Sequence, residues 1–118
     1  MNTAQSFRDL LVWQQSHQWV LGVYRISKDF PKAEIFGLTS QLRRSASSVP
    51  ANIVEGFKRR GKADKIRFYN IAQASLDEAA YHLLLAHDLD YADTTALQSK
   101  AEEIARMLAT YIQRMTNS

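Results

Sequence analysis

The stretch LQSKAEEIARMLATYIQRM, residues 97–115, has the most regular pattern of apolar residues in the chain. Its apolar residues recur at alternating steps of four and three, which places them along one face of an α-helix. Such a seam is typical of helices that pack against each other in a bundle. The stretch therefore predicts a helix whose packed face comprises Leu97, Ala101, Ile104, Leu108, Tyr111 and Met115.

Three further segments have a helical pattern of apolar residues, at residues 6–30, 38–57 and 63–89. The connections between them are short, which favours antiparallel neighbours. The chain has only 4 glycines and 2 prolines, too few for the turns of a small β-sandwich or barrel. The sequence therefore predicts an all-α, up-down antiparallel four-helix bundle that forms a single domain over residues 1–118.

Proline and glycine mark two details of these helices. Pro50 lies inside the second segment, where it removes a backbone donor and clashes with the preceding turn. Because the apolar pattern continues in phase through Ile53 and Phe57, we expect one helix kinked at Pro50 rather than two short helices. Gly61 is expected to supply a left-handed turn before the third helix, and Asp93 is expected to cap the fourth.

The first segment carries apolar residues on two nearly opposite faces, offset by two residues or about 200° around the helix. A helix that is apolar on two sides must be covered on two sides. One bundle core covers one stripe, and a neighbouring subunit is the simplest cover for the other. The stripe assigned to the core comprises Leu10, Trp13, His17, Val20 and Tyr24, and the stripe assigned to a homo-oligomer interface comprises Val12, Trp19, Val23 and Ile26.

The net charge of +3 is unevenly distributed along the chain. Residues 43–67 contain eight basic and two acidic residues, a local excess of +6, whereas residues 68–105 contain one lysine and seven acids, a local excess of −6. Such asymmetry either attracts a polyanion or reflects solvated helix faces, and the pattern alone leaves both readings open. The candidate nucleic-acid-binding residues are Arg43, Arg44, Lys58, Arg59, Arg60, Lys62, Lys65 and Arg67.

The residues that usually carry catalysis or bind metals are absent or poorly arranged. The chain has no cysteine, which excludes disulfides, cysteine-ligated zinc and cysteine nucleophiles. It has no H-E-x-x-H, G-x-S-x-G or phosphate-binding glycine motif. The acidic residues Asp88, Asp90 and Asp93 lack the glycine and the distant glutamate of an EF-hand. We therefore expect no enzyme, no metal and no cofactor.

Polar residues within the apolar pattern have a structural and a functional interpretation. Ser75 and Glu78 share a helix face. They form either a functional site or an internal lock, meaning a hydrogen bond or ion pair with an arginine such as Arg43 or Arg44. The lock is favoured because a buried glutamate is costly without a partner. For His17, a core position is favoured over a role as ligand or base.

Several strings together resemble those of a known family. They are LVWQ at residues 11–14, GLTSQLRR at 37–44, SVPANIVEG at 48–56 and RFYNIA at 67–72. The chain resembles the four-helix-bundle proteins encoded by intervening sequences in bacterial 23S ribosomal RNA genes, and the accessory variability protein of diversity-generating retroelements is a relative. One departure is Gly61-Lys62, where family members often carry serine, which affects the expected cap of the third helix.

The resemblance implies a homopentameric ring or barrel. For the retroelement relative it also implies binding to nucleic acid and to a reverse transcriptase. Our main hypothesis is a non-enzymatic homo-oligomer that binds RNA or another nucleic acid through its basic surface. The alternative is a protein–protein scaffold or accessory subunit without direct nucleic-acid binding.

Composition and targeting signals bear on location. Hydrophobic residues make up 46% and charged residues 23% of the chain, as in soluble globular proteins. No window approaches the roughly 18 uninterrupted apolar residues of a membrane helix, and residues 1–6 lack a signal-peptide pattern. We expect a cytoplasmic protein without membrane contact.

Overall fold

Four α-helices and two short 3-10 helices account for most of residues 4–118, the part of the chain that the computed structural model describes. Helix α1 packs against α2 and α4, and α3 packs against the same two helices, so the four helices occupy the corners of a bundle 47 Å long. The predicted all-α four-helix bundle is confirmed. The α-helices are α1 (Leu11–Ser27), α2 (Leu38–Lys58), α3 (Lys62–Asp88) and α4 (Thr95–Thr116), and the 3-10 helices are Phe7–Asp9 and Lys32–Glu34.

Residues 1–3, which belong to the predicted domain and to the N-terminal stretch inspected for a signal peptide, lie outside the described part. Within residues 4–118, no helix combines the length and the apolar character needed to cross a membrane.

Helix α2 runs without interruption through Pro50. The predicted continuity of this helix is confirmed, and the cost of the proline is one missing backbone donor, which leaves the carbonyl of Ala46 without its usual partner. Fully buried apolar residues lie on both sides of it, with Val49 before and Ile53 after. Packing against the core therefore holds the helix together across the proline.

The buried face of α1 carries most of the stripe assigned to a subunit interface, together with Val20 from the stripe assigned to the core. Val12, Trp19 and Val23 are buried within the single chain, and Ile26 is half-buried. The Trp19 indole N–H donates to the carbonyl oxygen of Leu97 in α4 at 3.1 Å. The predicted interface of Val12, Trp19, Val23 and Ile26 is therefore wrong, because Val12, Trp19 and Val23 fill the core between α1 and its neighbours.

Two serines make the buried face of α1 look polar in the sequence. Ser16 and Ser27 lie on the buried face, and their hydroxyls donate to carbonyl oxygens three residues earlier in the same helix, at 3.0 and 3.2 Å. Small serines satisfied in this way are compatible with burial. On the other stripe, the Trp13 and His17 rings stack at 5.0 Å and are partly exposed, and Tyr24 is exposed. His17 is therefore not a core residue.

The end of α3 turns at an aspartate rather than at a glycine. Asp90 has φ 62°, and the N–H groups of Asp90 and Tyr91 donate to carbonyls of the last turn, a Schellman arrangement. Gly61 has φ −79° and ψ 141°, so the expected left-handed turn there is wrong. The expected N-cap at Asp93 is wrong by one residue, because Thr94 is the N-cap of α4. The Asp93 carboxylate still accepts from the Thr95 N–H at 3.1 Å, just outside the cap.

Glu34 joins the two loops at one end of the bundle. One carboxylate oxygen accepts from the Leu38 N–H at the start of α2 at 3.1 Å, and the other accepts from the Tyr91 hydroxyl at 2.8 Å. The Tyr91 bond, followed by the Leu38 bond, holds the pKa of Glu34 below its ordinary value of 4.5. The same bond raises the pKa of Tyr91. The α1–α2 loop and the α3–α4 loop are thus tied together by one ionised side chain.

The Glu34→Gln variant tests this tie through its pH dependence. A carboxyl whose pKa is lowered on folding stabilises the fold above its unfolded-state pKa, and this contribution is lost as pH falls through the folded-state pKa. The difference in unfolding free energy between wild type and variant should be largest near neutral pH and shrink below about pH 4.5. Urea unfolding at a series of pH values measures it. A pH-independent difference would contradict the tie, and Tyr91→Phe should reproduce part of the effect.

Gly56 allows α2 and α3 to approach closely. A Cβ at this position would lie 2.6 to 3.0 Å from three atoms of the Tyr69 ring, which is fully buried. A Cβ at Gly61, five residues later, would meet nothing within 4 Å. The two glycines therefore offer a matched pair of substitutions.

We expect Gly56→Ala to destabilise the protein by about 1–3 kcal/mol, because the buried ring must shift to admit the methyl group. The higher helix propensity of alanine offsets about 1 kcal/mol of this. Gly61→Ala should change the unfolding free energy by less than about 1 kcal/mol. Chemical denaturation followed by circular dichroism measures both, and equal stabilities of the two variants would count against the close approach.

Candidate nucleic-acid interface

Three exposed cations surround the short connection between α2 and α3. Lys58 ends α2, Arg60 lies in the connection and Lys62 begins α3. Within residues 4–118, none of the three is ion-paired with an Asp or Glu side chain. Lys62 Nζ donates to the main-chain oxygen of Ser118 at 2.8 Å. We call Lys58, Arg60 and Lys62 the basic connection.

Two further arginines of the predicted set are held in place by acids and by an aromatic ring. The guanidinium groups of Arg59 and Arg67 lie 4.6 and 4.4 Å from the centroid of the Phe68 ring. Arg67 makes two hydrogen bonds to Asp64, and Arg59 bonds to Glu55 at 2.8 Å. These exposed pairs contribute little to stability, but they neutralise both arginines with the two acids of this segment.

Arg43 and Lys65 act at the C-terminal ends of helices. Arg43 Nε donates to the Ser27 hydroxyl at 2.8 Å, and its guanidinium lies 4.9 Å from the Tyr24 ring centroid. Lys65 Nζ donates to two carbonyl oxygens in the last turn of α2, at 2.7 and 3.2 Å. A cation there satisfies free carbonyls and opposes the helix dipole. Both residues therefore have a structural role.

Arg44 lines a polar groove between α2 and α3, with a volume of about 500 Å³. The helices are joined at its floor by the hydroxyls of Ser48 and Ser75, 3.0 Å apart. Glu78, on the wall, is exposed and contacts His82 at 3.2 Å. Among the described residues neither Arg43 nor Arg44 pairs with Glu78, so the predicted arginine–glutamate lock is wrong, and a serine pair occupies its place.

Arg8 is an exposed cation that the sequence analysis missed. It lies in the 3-10 helix Phe7–Asp9, which packs against α2. In an up-down bundle the start of α1 lies at the same end as the end of α2. Arg8 is therefore on the same end of the molecule as the basic connection. Only the topology reveals this, because Arg8 is far from residues 43–67 in the chain.

Apart from their charges, the described residues offer few groups arranged to bind a metal ion or a substrate. No group of three or more His, Cys, Asp or Glu residues within 4–118 could hold a metal ion. The Asp93 carboxylate is engaged by Thr95, whose side-chain and backbone hydrogen bonds lower the pKa of Asp93. The arrangement is suited to contact with phosphate groups, which needs accessible cations and no further machinery.

Comparison with known proteins gives a family and a fold. Residues 8–110 match the family model described as 23S rRNA-intervening sequence protein. A crystal structure from Bacteroides thetaiotaomicron VPI-5482, of a protein with unknown function from the S23 ribosomal protein family, is 25% identical with a TM-score of 0.80. That match covers 86% of this chain and 98% of the other. No curated protein matches the chain. The two matches indicate no enzyme family.

Substitutions of Lys65 and Arg60 test whether Lys65 has a structural role while Arg60 is an accessible charge. Lys65→Gln should lower the unfolding free energy by about 1 kcal/mol, because it removes a charged cap from the end of α2. Arg60→Gln removes an exposed charge without a partner and should change it by less than about 0.5 kcal/mol. Urea unfolding of both variants measures the difference. A larger loss of unfolding free energy for Arg60→Gln than for Lys65→Gln would contradict these two roles.

Proposed function

The chain belongs to the 23S rRNA-intervening sequence protein family, and we propose that it is a non-enzymatic protein that binds RNA through the basic connection. The observation that carries the proposal is the exposure of Lys58, Arg60 and Lys62, none of which pairs with an Asp or Glu side chain among the described residues. The other cations of the segment, except Arg44, are engaged in ion pairs or at helix ends.

Contacts of this kind favour phosphate over bases. The aromatic residue nearest in sequence, Phe57, is half-buried, and Lys65 Nζ lies 5.6 Å from its ring centroid. The next, Phe68, has Arg59 and Arg67 against its ring. Cations already occupy positions against both rings, which disfavours stacking of a base there. Lysine and arginine contacts to phosphate position a nucleic acid without reading its sequence. The proposed binding is therefore insensitive to sequence and strongly dependent on salt.

The proposal includes a homo-oligomer. Three cations on one subunit make a weak site, and the homopentamer implied by the family resemblance would repeat this site five times on one particle. A single RNA that reaches several copies gains affinity through effective concentration. A protein partner, such as a reverse transcriptase, belongs to the alternative function of a scaffold or accessory subunit.

The experiment compares two triple charge reversals by fluorescence anisotropy with a structured RNA. The test variant is Lys58→Glu, Arg60→Glu and Lys62→Glu, which omits Arg59 because it holds an ion pair and a ring contact. The matched control reverses three exposed cations at the opposite end of the bundle, Arg25, Lys28 and Lys32. Both variants change the net charge equally, so any difference between them reports position.

We expect wild-type affinity to fall by orders of magnitude between about 50 and 200 mM salt. The test variant should bind at least tenfold more weakly at low salt, with a salt slope reduced by about 2–3 for each subunit engaged. The control should retain most of the affinity, and a scrambled RNA of equal structure should bind like the original. Equal binding by wild type and test variant would favour the scaffold function instead.

A further inference from the structure

An exposed stripe on α3 combines two apolar side chains with two acids. Asp77, Tyr81, Leu84 and Asp88 follow one another at steps of four, three and four residues, so they lie along one line of the helix. Tyr81 is 58% and Leu84 44% exposed. Neither aspartate makes an ion pair with a residue in 4–118. We call these four residues the acidic stripe.

A groove with the opposite charge lies between the start of α1 and the second half of α4. It has a volume of about 420 Å³, and its apolar lining includes Leu11, which is 60% exposed, together with Met107 and Tyr111. Arg106 and Arg114 line it from α4, two helical turns apart, and within the described residues neither is ion-paired. Glu103 also lines the groove, but its charge is compensated by an ion pair with Lys100 at 3.4 Å. We call this the arginine groove.

We propose that the acidic stripe of one copy of this chain docks into the arginine groove of a second copy. The inference rests on the homo-oligomer of the proposed function and names its contact surfaces. Each surface has an apolar centre flanked by two charges, and the signs are opposite. The flanking residues are separated by about 16 Å on the stripe and about 12 Å in the groove, at 1.5 Å per residue, a difference that arginine side chains can span.

The second copy is favoured over another partner because both halves of the contact are on this chain. Burial of Tyr81, Leu84 and Leu11 would remove three of the most exposed apolar side chains from water, and the charges at the edge would select the partner and its register. The stripe belongs to α3 and the groove to α1 and α4, so every copy retains one of each. Such a contact repeats from copy to copy and either closes into a ring or extends.

The experiment measures mass by light scattering after size exclusion at micromolar concentration. Wild type should give several times 13.5 kDa. A groove variant, Arg106→Glu with Arg114→Glu, and a stripe variant, Asp77→Arg with Asp88→Arg, should each shift the mass to that of a single chain. The quadruple variant with both sets of changes restores opposite signs and should recover the assembly. The milder Arg106→Gln with Arg114→Gln should weaken association at least tenfold and serves if the glutamate variant does not fold.

Three results would overturn the proposal: a monomeric wild type, single-surface variants with wild-type mass, or a folded quadruple variant that stays monomeric. Circular dichroism establishes folding in each case. Failure of RNA binding is a separate result, because reversal of the basic connection should leave the mass unchanged. A groove variant that is monomeric should still bind RNA weakly, whereas a protein that assembles without binding RNA would refute only the proposed function.

Discussion

The close packing of α2 against α3 is the constraint on which the rest of the structure depends. These two helices contact each other more extensively than any other pair, and small residues make this possible. Ala46, Ala72 and Ala79 are fully buried, and Gly56 admits the ring of Tyr69. A side chain one methyl larger at Gly56 would separate the helices just where the chain turns from one into the other. The three-residue connection is short because the helices are already in contact at their ends.

This short connection determines what the cations can do. The connection is too short to fold back over its neighbours, so Lys58, Arg60 and Lys62 remain exposed. Further along both helices, packing against neighbouring helices brings two cations to groups that need them. Arg43 reaches the end of α1 and Lys65 the end of α2. The local excess of +6 in the sequence is therefore divided between structural charges and accessible ones.

The fold was predictable from the sequence. Which face of α1 is buried and which cations are accessible was not. Apolar periodicity located all four helices and carried α2 correctly through Pro50, because burial of one face is what makes a helix stable in a protein. Periodicity did not decide which face of α1 turns inward, since Ser16 and Ser27 are polar by composition yet satisfied within their own helix. For the candidate site, sequence proximity grouped eight cations, but only side-chain contacts separate the engaged ones from the accessible ones. The expected left-handed turn at Gly61 was wrong, since Gly61 has φ −79° and ψ 141°, and the left-handed residue is Asp90 in a different loop.

The proposed RNA contact and the proposed contact between copies use different cations, so both can occur in one assembled particle. The arginine groove uses Arg106 and Arg114 on α4, and an acidic stripe docked there would neutralise them. The basic connection lies between α2 and α3 and contributes nothing to that contact. The start of α1 and the end of α4 lie at the same end of the bundle as the basic connection. Assembly through the groove would therefore neutralise Arg106 and Arg114, which otherwise compete with the basic connection for polyanions. At this end of the assembled particle, Arg8 and the basic connection would then remain accessible, and an RNA could bridge the connections of neighbouring copies.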